Sequence, residues 1–325
     1  MSVNRFSCTF PTPSQLRPPG SAQPGRERLR WIVAQIKLVW QSKLVLLVVL
    51  PFAAADLVLQ THWWASQSAP VAIWSAGLSL LLALLVLKLR AATSAGAFVG
   101  AVLTANLIFS TTAFPYRPWQ TALVPVLAVS LLAYCATRLG RGQKERRGTA
   151  EKRSGRTASQ VAANLGVAAL VSSEFAQSWL AGTGWFSAPG EPVFALGLAA
   201  LAEAAADTVS SEVGQVLGGR PRMMTSGQQA EPGADGAISA AGTLAGLAAG
   251  ALVALAGTLA LRGGPTLFWV SCAGGVFGLF FDSLLGATLE RRGWLNNDAV
   301  NFLSTASAAA FALAMLAVLP HPGVG

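Results

Sequence analysis

The chain has 325 residues, 53% of them hydrophobic and only 11% charged, with a formal net charge of +9 at pH 7. A soluble globular chain carries about a quarter charged residues. That depletion, a mean hydropathy of +0.52 and repeated apolar runs of membrane-spanning length define an all-α polytopic membrane protein, because a spanning helix satisfies its own backbone hydrogen bonds in lipid. The basic residues lie between the apolar runs, which argues against a nucleic-acid partner. Cys8, Cys135 and Cys272 are scattered, and His62 and His321 fall in different loops, so the sequence offers no disulfide framework, zinc site or histidine base.

Residues 1–30, rich in Pro, Ser, Gly and Arg, are expected to form a disordered, basic, cytosolic tail without a cleavable signal. Residues 31–94 are expected to carry two transmembrane helices, over 42–60 and 71–89. The remaining region, 95–325, is expected to add spans over 95–114, 119–137, 161–181, 193–215, 237–261, 265–289 and 299–319. Nine helices in all are therefore predicted. The third is interrupted by Gly96, Gly100, Thr104, Asn106 and the Ser-Thr-Thr run at 110–112, which suits packing against protein rather than lipid.

With the amino terminus inside, all 23 Lys and Arg residues except Arg117 and Arg262 fall on the cytosolic side. The positive-inside rule then predicts an external carboxy terminus, in a cell-membrane protein whose loops 138–160 (basic) and 216–236 (Gly/Arg-rich) are cytosolic. Trp63, Trp64, Trp119 and Trp185 fall near the predicted outer ends. Gly242, Gly246 and Gly250, and Gly274 with Gly278, make GxxxG steps that fit either close helix packing or approach of a ligand to the backbone.

Ionisable residues inside apolar spans are candidates for function. Asp207 and Glu212 lie at the cytosolic end of the sixth predicted span. Asp282 and Ser283 lie in the inner half of the eighth, and Asn297, Asp298 and Asn301 open the ninth. These segments converge on one side, although the orientation used only Lys and Arg. Asp207 shares a helix face with Ser211, whereas Asp207 and Glu212, five apart, are separated by about 140°. Oxygen-only ligands of this kind suit Mg²⁺, which keeps waters and is completed by phosphates. The loop from Gly218 to Gly236, with Arg222, Thr225 and Gly233, offers glycine-rich turns and arginines to a phosphate, or serves only as a flexible connector. Gln160 and Asn164 share a face at the start of the fifth span, for interhelical bonding or for substrate. Asp56, Glu174 and Glu203 are intramembrane but are assigned no catalytic role.

The ordered stretches Arg156-Thr-Ala-Ser-Gln-Val-Ala-Ala-Asn164, Ala206-Asp-Thr-Val-Ser-Ser-Glu-Val-Gly214, Pro221-Arg-Met-Met-Thr225, Pro232-Gly-Ala-Asp-Gly236, Phe281-Asp-Ser-Leu-Leu-Gly-Ala287 and Asn296-Asn-Asp-Ala-Val-Asn-Phe-Leu-Ser304 resemble an integral membrane family known as domain of unknown function 92. That family includes the transmembrane protein 19 group and a plant phytyl phosphate kinase. The resemblance covers roughly residues 95–319. The family usually has Asn where Thr157 stands, Trp where Val209 stands and Asn-Gly-Gly where Asp235-Gly236-Ala237 stands.

The resemblance implies a membrane kinase that transfers a phosphoryl group from ATP or CTP to an isoprenoid phosphate, among membrane lipids, at the cytosolic leaflet. Asp207 and Asp282 would hold Mg²⁺, and Asn297, Asp298 and Asn301 would complete or orient the catalytic set. Arg156, Gln160, Asn164, Ser211, Glu212, Arg222, Thr225, Gly233, Gly236 and Ser283 would bind phosphate or substrate. The alternative, from a different class, is a transporter or lipid carrier that uses the intramembrane carboxylates. The sequence is silent on oligomeric state.

Overall fold

The structure is a computed structural model that describes residues 25–183 and 191–319. Most of the predicted tail 1–30, together with Trp185 and His321, lies outside the described residues, and helix α1 already begins at Gly25. Eleven described helices follow in order: α1 (Gly25–Gln67), α2 (Ala69–Lys88), α3 (Ser94–Thr111), α4 (Leu123–Arg138), α5 (Arg141–Arg147), α6 (Ala158–Ser172), α7 (Glu174–Gly182), α8 (Glu191–Leu217), α9 (Ala240–Ala260), α10 (Pro265–Leu285) and α11 (Asn297–Val318). A two-stranded hairpin, β1 (Arg222–Met223) with β2 (Ala237–Ile238), closes the loop between α8 and α9. The chain is an all-α polytopic membrane protein.

Seven described helices are long and apolar enough to cross a bilayer. An eighth is obtained if α4 and α5, bent by 64° at their junction, count as one span. The expected fifth span over 161–181 is instead broken in two. Ser173 takes an extended conformation and its hydroxyl caps α7 by accepting from Ala176 N–H. Its neighbour Glu174 N–H donates to Asp56 Oδ1 of α1 at 3.1 Å, so a buried carboxylate satisfies the new helix start. The 15 residues of α6 rise only about 22 Å, short of the roughly 30 Å hydrocarbon core.

Helix α8 is the axis of the bundle, packed by α4, α6, α9, α10 and α11. It can be surrounded because its neighbours present small residues. A Cβ added at Gly242, Gly246 or Gly250 of α9 would press on the α8 backbone at Ser210, Ala206 or Ala202. The same addition at Gly275 or Gly278 of α10 would press on Glu203. These glycines serve close helix approach, which supplies van der Waals contact where lipid offers no hydrophobic drive. Leu47, Ile73, Leu80, Leu81, Leu131, Leu244, Leu252 and Leu259 point outward and are exposed, as a lipid-facing surface requires.

One end of the bundle gathers the loops. The turn after α2 pairs with the segment before α6 through Thr93 N–H to Arg156 O (3.0 Å) and Arg156 N–H to Ala91 O (2.9 Å). Lys144 of α5 reaches Glu212 of α8, Gly236 packs on Gly286 and Ala287, and Gln41 of α1 bonds to Trp294 and Asn296. These contacts bring the segments around residues 41, 90, 140–157, 212–239 and 286–298 to the same face.

Candidate functional site

The site is built on the last turns of α8. Glu203 and Asp207, four apart, lie on one face of that helix. Glu203 is 1% exposed, and its Oε1 is a buried oxygen with no hydrogen-bond partner. Asp207 lies within hydrogen-bond range of Asp282 on α10, and the two carboxyls, with Glu203, repel one another across the helix interface. The buried Ser304 of α11 sits beside both Glu203 and Asp282. Asp282 Oδ2 is likewise buried without a partner.

The cluster extends toward the loop face. Just past α10 the helix widens into a single π-turn over Gly286–Glu290. Its last residue, Glu290, feels the charges of Asp235, Asp207 and Asp298. Such π-turns occur often at functional positions. Two cations oppose these acids: Arg156 faces Asp207 and donates to Thr208 Oγ1 at 3.3 Å, and Arg291 faces Asp235.

Arg156 is held rigidly. Its backbone is paired with the turn after α2, and the next residue, Thr157, caps α6. The Thr157 hydroxyl accepts from Gln160 N–H, and Gln160 Oε1 accepts from Thr157 N–H at 2.7 Å. Gln160 is thereby engaged in a capping box, and Asn164 Nδ2 donates to Gln160 O at 2.7 Å within α6. Thr157 thus performs the capping that an Asn would perform at this position.

The other sequence-derived candidates distribute as follows. Asp298 is near the cluster, but its Oδ2 accepts from Ser42 of α1 at 2.6 Å. Asn301 is half-buried, and Asn297 is exposed. Ser211 is exposed, its hydroxyl donating to Thr208 O, and Ser283 donates back to Leu279 O. Arg222 donates to Gly227 O within its own hairpin, and Thr225 and Gly233 are exposed, while the hairpin's Met223 Sδ accepts from Arg291 at 3.3 Å. Gly236, at φ +70°, brings Asp235 against the π-turn, where a Cβ would collide with the Ala287 backbone.

Glu212 points away from Asp207. Lys144 Nζ, completely buried, donates to Glu212 Oε2 at 2.5 Å and to the carbonyls of Ala136 and Thr137 at 3.0 Å, and Thr137 Oγ1 donates to Glu212 Oε1. The sequence reading placed Glu203 inside the membrane one turn from Asp207 but gave it no catalytic role, and it did not single out Glu290, Ser304 or Lys144.

Helices of this length and surface, with loops and ionisable groups gathered at one end, define a multi-pass integral membrane protein. The chain belongs to the integral membrane protein DUF92 family, which matches residues 77–309. An uncharacterised membrane protein of Synechocystis sp. is 34% identical over 60% of this chain and 73% of its own length. The chloroplastic protein VTE6 of Arabidopsis thaliana is 30% identical over 71% of this chain and 66% of its own. An uncharacterised membrane protein of Methanocaldococcus jannaschii is 43% identical over 33% of this chain, and the match spans only 45% of that relative. No solved structure matches the chain.

Proposed function

We propose that the protein is a nucleotide- and Mg²⁺-dependent kinase that phosphorylates an isoprenoid monophosphate, with the loop face of the bundle on the cytosolic side. The observation that carries this reading is the half-buried Asp207–Asp282 carboxyl pair facing Arg156. The substrate class rests on the family resemblance to phytyl phosphate kinase.

The donor set fits Mg²⁺. Its atoms are all oxygens, and Asp282 Oδ2 and Glu203 Oε1 are buried and unpartnered. Among the described residues no three His, Cys, Asp or Glu side chains form a ready metal cage. Mg²⁺ in phosphoryl-transfer sites is commonly held by one or two carboxylates, substrate phosphates and water. Asp207 and Asp282 would hold it, and when bound the ion neutralises charge on the phosphates.

The chain's own residues would do the positioning. Arg156, fixed through its backbone, would clamp the lipid phosphate by charge-assisted hydrogen bonds. The acceptor needs no strong base, because a phosphate monoester loses its second proton near pH 6 and is itself a nucleophile at neutral pH. The phosphate oxygen attacks the terminal phosphorus of the nucleotide, the bond from that phosphorus to its bridging oxygen breaks, and the nucleoside diphosphate leaves with the electron pair. Such transfers depend mainly on alignment and charge stabilisation.

The test is formation of prenyl diphosphate by purified protein in nanodiscs, with phytyl or geranylgeranyl monophosphate and either ATP or CTP. Asp207→Asn and Asp282→Asn are expected to lower kcat by at least about a hundredfold, the scale of losing a charge-stabilising group. Wild-type turnover in both variants would overturn the site assignment.

A further inference from the structure

A cavity of about 140 Å³ lies between α2, α3, α4 and α6, beside the acidic cluster. Its inner walls are Ala83, Ala97, Gly100, Ala101 and Ala133 with larger aliphatic neighbours, and its mouth at the loop face is ringed by Arg90, Arg138, Arg141, Lys152 and Arg156, with Glu151 alone opposing them. Helices α2 and α4 line the slot from either side without packing closely on each other. Deep in the wall, Thr104 is 1% exposed and its hydroxyl has no partner.

We infer that this groove is the binding site for a single-chain lipid monophosphate, the chain lying along the small-residue wall and the phosphate in the basic mouth. The inference rests on the kinase reading for its isoprenoid substrate, but the groove and its charge are independent of that chemistry. Of the five cations, only Arg141 is in a salt bridge among the described residues, with Glu145 at 3.1 Å. A mouth with five cations, of which Arg141 is paired with Glu145 and Arg156 faces Asp207, keeps an excess of positive charge at an apolar slot, which calls for a ligand with an anionic head and an apolar tail. The slot is narrow, about 140 Å³ between walls of Ala and Gly, which fits one chain rather than two.

Arg156 belongs to both features: it lines the groove and faces Asp207. A phosphate seated on Arg156 therefore lies next to the carboxyl pair, with its chain in the groove. Gly96 makes this geometry possible, since a Cβ there would meet Arg156 O at 2.5 Å.

The experiment is equilibrium binding of labelled geranylgeranyl monophosphate to the full-length protein in phosphatidylcholine nanodiscs, without nucleotide. Geranylgeraniol, inorganic phosphate and phosphatidic acid are the competitors. Gly100→Phe should fill the slot, because an added Cβ meets only Val161, at 3.7 Å, leaving the ring to project into the groove. Ala133→Phe narrows it from the opposite wall, and Gly100→Ala leaves room. We expect at least tenfold weaker binding in both Phe variants and near-native binding in Gly100→Ala. The double variant Arg90→Gln/Lys152→Gln should lose most of the preference for the phosphate over the alcohol. Native affinity in both Phe variants, or phosphatidic acid competing as well as the single-chain phosphate, would overturn the groove. Groove-dependent binding with no diphosphate formed from any nucleotide would uphold the groove and sink the kinase. Turnover with an unchanged KM in the two Phe variants would do the reverse.

Discussion

The Lys144–Glu212 pair gives the sharpest quantitative prediction. Lys144→Met removes an ammonium that is 0% exposed and donates three hydrogen bonds. It leaves Glu212 with only the Thr137 hydroxyl at 3.1 Å and strips a donor from two carbonyls at the end of α4. Removing one partner of a buried ion pair costs about 3–5 kcal/mol. The Glu212 side chain keeps 11% exposure, so partial hydration places the expected loss near the lower end, about 3 kcal/mol. Replacing both partners by apolar groups of similar size removes the stranded charge, and Lys144→Met/Glu212→Met should recover to within about 1 kcal/mol of the native protein. Unfolding by SDS titration in mixed micelles measures all four corners of the cycle. A double variant as unstable as Lys144→Met would refute the account, because the loss would then come from something other than an orphaned carboxylate. The same double variant tests the role of Glu212. If that residue only ties α5 to α8, turnover survives its replacement; loss of turnover in a stable double variant would return Glu212 to the substrate site.

Two further outcomes follow from the backbone around the site. Thr157→Ala should cost about 1 kcal/mol by losing the α6 cap, whereas Thr157→Asn should be neutral; an equal loss for both, by the same unfolding assay, would refute the capping role. Gly236→Ala combines a left-handed φ of +70° with a collision against Ala287, while Gly227→Ala has φ +66° and open space around it. The second should therefore show only strain, about 1 kcal/mol, and the first distinctly more, with loss of turnover as the π-turn bearing Glu290 is pushed away.

The helical, multi-span class was legible because composition and apolar run length respond directly to lipid. The convergence of the Asp207 and Asp282 segments was legible too, since topology alone brings the ends of alternate helices to one side. What escaped was set by contacts between distant parts of the chain. The break at Ser173 depends on Asp56, more than a hundred residues earlier, satisfying the start of α7. Lys144 counted in the sequence only as one more loop cation, yet it is fully buried on Glu212. Asp298 is tied to Ser42, in a region that the sequence resemblance did not reach. Of the two arginines read as phosphate ligands, Arg156 faces Asp207, whereas Arg222 donates to its own Gly227 carbonyl, a local contact that spacing along the chain does not reveal.

The separation of roles along α8 explains why one stretch of the helix carries Glu203, Asp207 and Glu212. A residue five positions from Asp207 points about 140° away, so Glu212 meets α4 and α5 while Asp207 and Glu203 meet α10 and α11. The first contact is charge-paired and closed: Lys144 matches Glu212, and the pair locks a surface helix to the bundle. The second is left with like charges and two unpartnered carboxylate oxygens. Buried acids without compensation are costly to fold. The glycines of α10 do not relieve that cost; by letting Glu203 and Asp282 approach, they impose it. A sequence that needed only a stable bundle would have placed apolar residues there. The uncompensated charge on this side of α8, next to a fixed arginine and a basic-mouthed groove, is what the proposed phosphoryl-transfer site requires.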